Sequence, residues 1–228
     1  MILRKNTNPA LARIVPFMAF ILIMASTSFV PEQAGLVLGF DARWLYVLRI
    51  SLVGALLWFF RNSYEELSPG PRIDHQHWPL AVAVGVIVFL LWIQLDRDGL
   101  RMSISQGFDP RSPNAVLQLV FVSSRTMGAA VIVPIMEELF WRSFLLRWLH
   151  NVNFTAVNPG EIGLRALLLS SVLFAMEHNL WFAGWLAGLA YGWLYMYTRN
   201  LWSVILAHSI TNGILSGWIL FTYRWEFW

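Results

Sequence analysis

Two adjacent carboxylates, Glu137 and Glu138, directly follow an apolar stretch that is typical of a membrane-spanning helix, and Arg142 lies four residues after the second one. Charges in bilayer hydrocarbon cost roughly 2.5–3.5 kcal/mol or more each, so such a cluster indicates a functional site. Helix residues four apart share a face, so Glu138 is expected to pair with Arg142. Glu137 points about 100° away. We therefore predict that Glu138 and Arg142 are structural, and that Glu137 faces the site as a general base.

Two histidines and an asparagine add groups that suit hydrolysis. His178 ends the run Phe-Ala-Met-Glu-His, and His208 precedes Asn212 by four residues, so the latter two project from one helix face. Imidazole donates a proton or a hydrogen bond and the amide donates two, which makes His208 with Asn212 a candidate oxyanion hole. His178, from another helix, can share a water with Glu137. Carboxylate and imidazole around one water favour hydrolysis.

Glu177 is a further carboxylate in an apolar run, immediately before His178. It is expected to hold His178 in one tautomer, or to pair with Arg125 or Arg165. A structural role is the favoured interpretation.

Other motifs are interpreted as non-functional. His75 and His77 have a metal-like spacing but lie in a loop that contains Pro and Gly, which favours a solvated loop. Glu65 and Glu66 repeat the glutamate pair, but a Pro-Gly-Pro run follows and no helix continues to carry a partner arginine. The small-residue spacing of glycines over 184–192 indicates helix packing.

The composition is that of a polytopic membrane protein. Of the 228 residues, 57% are hydrophobic and only 13% charged, whereas a soluble domain carries about 25% charged residues. Fifteen of the sixteen basic residues are arginines spread singly along the chain, and nucleic-acid binders cluster such residues, so no nucleic-acid partner is expected. The absence of cysteine excludes disulfides, thiolate metal sites and a cysteine nucleophile.

Apolar runs of the length that spans a bilayer recur along the chain. Because the first run follows basic residues it resembles a secretory signal peptide, but the polytopic remainder favours a retained helix. We expect one all-α domain over 1–228, with about eight transmembrane helices around an intramembrane cavity once the long fourth region is split. Pro134 is expected to bend that region. The runs are 14–30, 44–60, 79–95, 115–136 continued by 139–149, 164–179, 180–198 and 201–223.

The motifs together resemble the CPBP intramembrane proteases, also called the CAAX protease or Abi family, which include the type II CaaX prenyl endopeptidases. The family shows a glutamate pair with an arginine four residues after it, then Phe-x-x-x-His, then a His with an Asn four residues later. All three occur here in family order, within a motif-bearing core of about 115–223. The Glu-His-Asn sequence at 177–179 also resembles that of a bacterial subgroup of the family, which is found alongside exosortase and exopolysaccharide loci.

The resemblance implies an intramembrane endopeptidase with Glu137 as the water-activating residue, His178 as its partner, and His208 and Asn212 in oxyanion stabilisation. No cofactor is expected to be required. The alternative is a zinc-dependent version in which Glu137, His178 and His208 converge on Zn²⁺.

Further alternatives are a non-catalytic immunity or assembly factor that keeps the fold, and a proton-coupled transporter, which is disfavoured because repeated halves are missing. The expected partners are membrane lipid and a membrane-associated protein or peptide substrate. We expect a multi-pass protein of the bacterial inner (plasma) membrane. CaaX-like C-terminal processing is implied by resemblance only, and the loop over 96–114 is a candidate for substrate selection.

Overall fold

Long apolar runs form the helices of this chain. The computed structural model describes residues 8–27, 41–68, 70, 73–103 and 107–228, and those ranges contain no strand. The end of the predicted first run, 28–30, lies outside the described residues. The seven long helices of the described ranges are α1 (Pro9–Thr27), α2 (Trp44–Phe60), α3 (Trp78–Gln94), α4 (Ala115–His150), α5 (Leu164–Met176), α6 (Trp181–Thr198) and α7 (Leu201–Thr222). Short 3₁₀ turns occupy Arg61–Ser63, Glu65–Leu67, Phe154–Ala156, Pro159–Glu161 and Trp225–Phe227.

These helices confirm the all-α, polytopic class. Four of them are long and apolar enough to cross a membrane, namely α1, α2, α4 and α7, while α3 and α5 are shorter apolar helices. The predicted split of the fourth region is wrong, since α4 runs for 36 residues without a break. The described ranges therefore hold seven long helices where about eight were expected.

Helix α4 continues through the two glutamates, but it alternates between α-helical and π-helical segments on either side of them. Pro134 has no backbone N–H to donate, and it lies in the first turn of the α-helical segment that follows a π-helical one. Such π-helical segments are frequent at functional sites. The successive segments of α4 are α-helical Ala115–Met127, π-helical Gly128–Ile132, α-helical Val133–Glu138, π-helical Leu139–Leu146 and α-helical Arg147–His150.

Helices α5 and α6 pack closely through small residues, as the glycine spacing predicts. A Cβ built on Gly188 would lie 2.9 Å from Ser171 Cα, and one built on Gly184 would lie 3.1 Å from the Cβ of His178. Only a residue without a side chain allows this approach. The packing of α6 therefore helps to fix the position of His178.

A buried ion pair ties α1 to the turn after α2 and to α4. Arg13 Nη2 lies 2.6 Å from Glu66 Oε2, and Arg13 Nε donates to Ser143 Oγ at 2.8 Å. The Ser143 hydroxyl also donates to Glu66. Glu66 therefore has an arginine partner that its own segment does not provide, and the contact gives it a structural role. Burial raises the pKa of Glu66, but the charge and hydrogen bonds of Arg13 outweigh it and lower that pKa overall.

The chain after α3 is held against the α5–α6 connection. Asn179 Oδ1 accepts from the backbone N–H and the hydroxyl of Ser103, and Asn179 Nδ2 donates to Ser103 O at 2.8 Å. Asp96 pairs with Arg101 at 3.0 Å and with Arg224 at 2.8 Å. The first part of the loop predicted as a candidate for substrate selection, 96–103, thus lies beside the connection that carries His178.

Candidate active site

Most of the polar residues singled out in the sequence line one cavity of about 230 Å³; Glu138 and Arg142 do not. Glu137 reaches the cavity from the α-helical part of α4, and its side chain is 8% exposed. Its Oε2 atom is buried without a hydrogen-bond partner among the described residues. The polar residues on the cavity wall are Arg125, Glu137, Glu177, His178, Tyr191, His208, Thr211, Asn212 and Ser216.

Glu138 turns away from the cavity and binds two partners through one oxygen. Arg142 Nη1 donates to Glu138 Oε1 at 3.0 Å, so the predicted ion pair along the helix is present. His208 Nδ1 lies 2.7 Å from the same oxygen, and because a carboxylate oxygen accepts, the imidazole donates. Glu138 is therefore more than a structural partner of Arg142. It sets the orientation of His208, whose Nε2 lies 4.0 Å from Glu137 Oε2.

His178 lies just beyond the end of α5, in the connection to α6, rather than inside a helix. Its Nδ1 atom donates to the backbone oxygen of Phe174 at 2.8 Å, which fixes the proton on Nδ1 and leaves Nε2 as an acceptor. The Phe174 ring packs on the imidazole at 4.5 Å between centroids and beneath the Arg142 guanidinium at 4.5 Å. The Phe-x-x-x-His spacing thus has a physical reason in this fold.

Glu177 faces the same cavity but has a different partner from those predicted. Trp141 Nε1 donates to Glu177 Oε1 at 3.0 Å, and no described contact joins Glu177 to Arg125 or Arg165. Its Oε1 lies 3.9 Å from His178 Nδ1, which already donates to a backbone oxygen. The interpretation that Glu177 sets the His178 tautomer is therefore wrong.

The carboxylates and His178 form a different metal-compatible group from the one expected. Glu137, Glu177 and His178 each offer a ligand atom, and the three atoms lie within 4.8 Å of one another. Two carboxylates and one imidazole are a donor set that zinc accepts. His208 is not part of this group, although its Nε2 lies 4.0 Å from Glu137 Oε2. The alternative set of Glu137, His178 and His208 stays a prediction.

Asn212 lies on the same wall as His208, one helical turn further along α7. Its Nδ2 donates to Ala129 O at 2.9 Å, an oxygen of the π-helical segment of α4. One N–H of the amide remains for the cavity. The spacing of His208 and Asn212 predicts that they share one helix face, and both side chains line this cavity.

Tyr191 is a wall residue that sequence reasoning missed. Its ring stacks on the His208 imidazole at 5.0 Å and 22°, and its hydroxyl donates to Thr211 Oγ1 at 2.6 Å. Thr211 in turn donates to Gly85 O at 2.8 Å, which links α7 to α3. The only signal in the sequence was a tyrosine within the glycine-spaced run of α6.

A second cavity of about 220 Å³ adjoins the first and shares Glu177 and His178 with it. The chain after α3 contributes Asp96, Arg101 and Ser103 to its polar wall, and Asn179 and Glu226 complete it. A polar recess therefore adjoins the His178 side of the first cavity.

Residues 112–214 match the family described as Type II CAAX prenyl endopeptidase Rce1-like. That segment contains all three motifs and every residue predicted for the site. No curated protein and no solved structure matches the chain.

Proposed function

We propose, from the membership of residues 112–214 in the Rce1-like family of type II CAAX prenyl endopeptidases, that this protein is an intramembrane endopeptidase. In this proposal Glu137 and His178 activate water for attack on a peptide carbonyl. The observation that carries the proposal is the buried Glu137 carboxylate, which lines the cavity with one oxygen unpartnered among the described residues, beside His178.

The steps use side chains of the cavity wall. A water between Glu137 and His178 gives its proton to the carboxylate, and its oxygen forms a bond to the carbonyl carbon of the substrate. The resulting oxyanion accepts hydrogen bonds from protonated His208 Nε2 and from the free N–H of Asn212. The C–N bond then breaks, and Glu137 delivers the proton to the leaving amine. Glu138 is a positioning residue because it acts through His208.

The zinc-dependent version is the second candidate, and the cluster of Glu137, Glu177 and His178 supports it. Zinc would supply Lewis-acid polarisation of the carbonyl. In that version these three residues hold the ion, and His208 and Asn212 keep their role at the oxyanion.

For the substrate we propose a membrane-associated protein or peptide, cut near its C-terminus as in CaaX processing. The polar recess formed by Asp96, Arg101 and Ser103 supports access for a hydrophilic chain segment from the membrane surface. A non-catalytic immunity or assembly factor with this fold is the competing hypothesis.

The test is cleavage of a fluorogenic peptide library, including prenylated tails, by the purified protein in detergent. Glu137→Ala is expected to abolish cleavage, whereas Glu65→Gln is the matched control, since Glu65 is an exposed member of the other glutamate pair. Activity that survives a zinc chelator supports the metal-free version, and activity lost with the chelator and restored by zinc supports the other. Full activity of Glu137→Ala would contradict both the metal-free and the zinc-dependent version of the protease. If no peptide is cleaved, a cellular phenotype unchanged by Glu137→Gln would favour the non-catalytic hypothesis.

A further inference from the structure

Arg125 lies on the wall of the catalytic cavity without an acidic partner among the described residues. Its Cζ atom is 4.4 Å from the centroid of the Tyr46 ring and 5.7 Å from that of Phe108. Its Nε is buried and has no hydrogen-bond partner in the described ranges. Because an unpaired charge is costly at membrane depth, a bound anion would stabilise an arginine in this position. The cavity is where such an anion can reach it.

Arg49 adds a second cation next to the first. Its Cζ atom lies 4.9 Å from the same Tyr46 ring and 4.5 Å from the Phe20 ring. Its Nε is also buried without a partner in the part of the chain that the structure describes. Two guanidinium groups on one tyrosine ring repel each other. A bound carboxylate would be attracted by both of them.

The position of Arg125 relative to Glu137 sets the length of a ligand that touches both. The two residues are twelve positions apart on α4, which corresponds to about 18 Å of helix. An extended peptide covers about 3.4 Å per residue, so about five residues bridge this distance. The cavity is lined by Arg125 as well as by the carboxylates of Glu137 and Glu177.

We infer that Arg125, assisted by Arg49, forms a subsite that binds a carboxylate of the substrate about five residues from the bond that is cut. A guanidinium binds a carboxylate through two parallel hydrogen bonds, which suits the site. The carboxylate comes from the free end of the substrate chain or from an Asp or Glu side chain. The inference rests on the proposed function and adds a specificity-determining residue to it.

The test measures binding apart from cleavage. The probes are fluorescein-labelled, apolar peptides of ten residues that end in a free carboxylate, the same peptides ending in an amide, and amidated peptides with one internal Glu. Binding to the full-length Glu137→Gln variant in detergent is followed by fluorescence anisotropy. The free-acid or internal-Glu peptides are expected to bind about tenfold to a hundredfold more tightly than the neutral amides. Whichever acidic set binds tightly identifies the source of the carboxylate.

Adding Arg125→Gln is expected to remove the preference and to leave the affinity for neutral amides unchanged. Arg125→Lys keeps the charge and is expected to restore part of the preference, while Arg165→Gln, on the exposed start of α5, is the control that keeps it all. Equal binding of acidic and neutral peptides, or no binding of any, would overturn the inference. Cleavage by the wild-type protein that ignores the carboxylate would overturn it and leave the proposed function standing. Acid-selective binding with no cleavage would support the subsite and count against proteolysis.

Discussion

His208 and Glu138, on α7 and α4, share a fully buried hydrogen bond of 2.7 Å between Nδ1 and Oε1. The same carboxylate oxygen accepts from Arg142. Glu138 therefore connects the arginine of one motif with the histidine of another. The two adjacent glutamates have separate tasks: Glu137 faces the cavity, and Glu138 orients His208.

Glu138→Gln is expected to lower kcat by about tenfold to a hundredfold with little change in KM, because His208 loses the anion that orients it. Arg142→Gln removes the other partner of this oxygen but keeps its hydrogen bond to His208. The substitution is therefore expected to lower the free energy of unfolding clearly while changing kcat little. Steady-state kinetics and thermal unfolding in detergent separate the two effects. A Glu138→Gln variant with the kcat of wild type would refute the positioning role.

Tyr191→Leu is expected to reduce kcat more than Tyr191→Phe does. The Phe variant keeps the stacking on His208 and loses only the hydroxyl bond to Thr211, a net loss of about 0.5–1.5 kcal/mol. The Leu variant also loses the aromatic pair, worth about 0.5–1.5 kcal/mol beyond burial. Parallel assays of kcat and melting temperature check the order, and a Phe variant as inactive as the Leu variant would contradict the stacking role.

The Arg13–Glu66 pair is expected to make stability depend on pH. The pKa of Glu66 is lowered from its ordinary value of 4.5 in the folded protein, so this contribution is fully present above that pH and is lost as pH falls through the folded pKa. Glu66→Gln should lower the free energy of unfolding by about 3–5 kcal/mol at neutral pH and flatten its decline in acid. Thermal unfolding between pH 7 and acidic pH measures both, with Glu65→Gln as the control. An unchanged acid profile in Glu66→Gln would show that other groups dominate.

Gly188→Ala is expected to destabilise the protein by about 1–3 kcal/mol, because its new methyl group meets the backbone of α5. Gly217→Ala is the matched control on α7, where nothing lies within 4 Å of an added Cβ. There the substitution should be neutral or stabilising by up to about 1 kcal/mol. Comparing the melting temperatures of the two variants tests the packing. Equal effects would argue against close contact of α5 and α6.

Local spacing predicted the parts of the site that lie within one helix. The pair of Glu138 with Arg142 and the common face of His208 and Asn212 both follow from four-residue steps along a helix. The bond from Glu138 to His208 could not be predicted in this way, since it joins residues 70 positions apart.

The partners of two other glutamates also come from distant parts of the chain. The segment around Glu66 offers no arginine, and Arg13 reaches this glutamate from α1. The sequence predicts His178, Arg125 or Arg165 as the partner of Glu177, whereas an indole N–H from α4 donates to it. The apolar runs predict the helices well, but the expected split of the fourth region is not found. Glu138, in the middle of α4, is bound by Arg142 of the same helix and by His208 of α7.

The π-helical segments on either side of Val133–Glu138 give α4 the character of a helix with one extra residue inserted on each side of its glutamates. A π-helical turn closes over one residue more than an α-helical turn. Because a π-helical turn accommodates its extra residue within one turn, deleting one residue from Gly128–Ile132 would restore an ordinary turn with little rotation of the preceding helix relative to Glu137. Deleting one residue from the α-helical stretch between Arg125 and Gly128 would instead rotate Arg125 by about 100° relative to Glu137 and move it off the cavity wall. The π-helical segment is therefore the part of α4 where a change of length leaves the cavity wall intact.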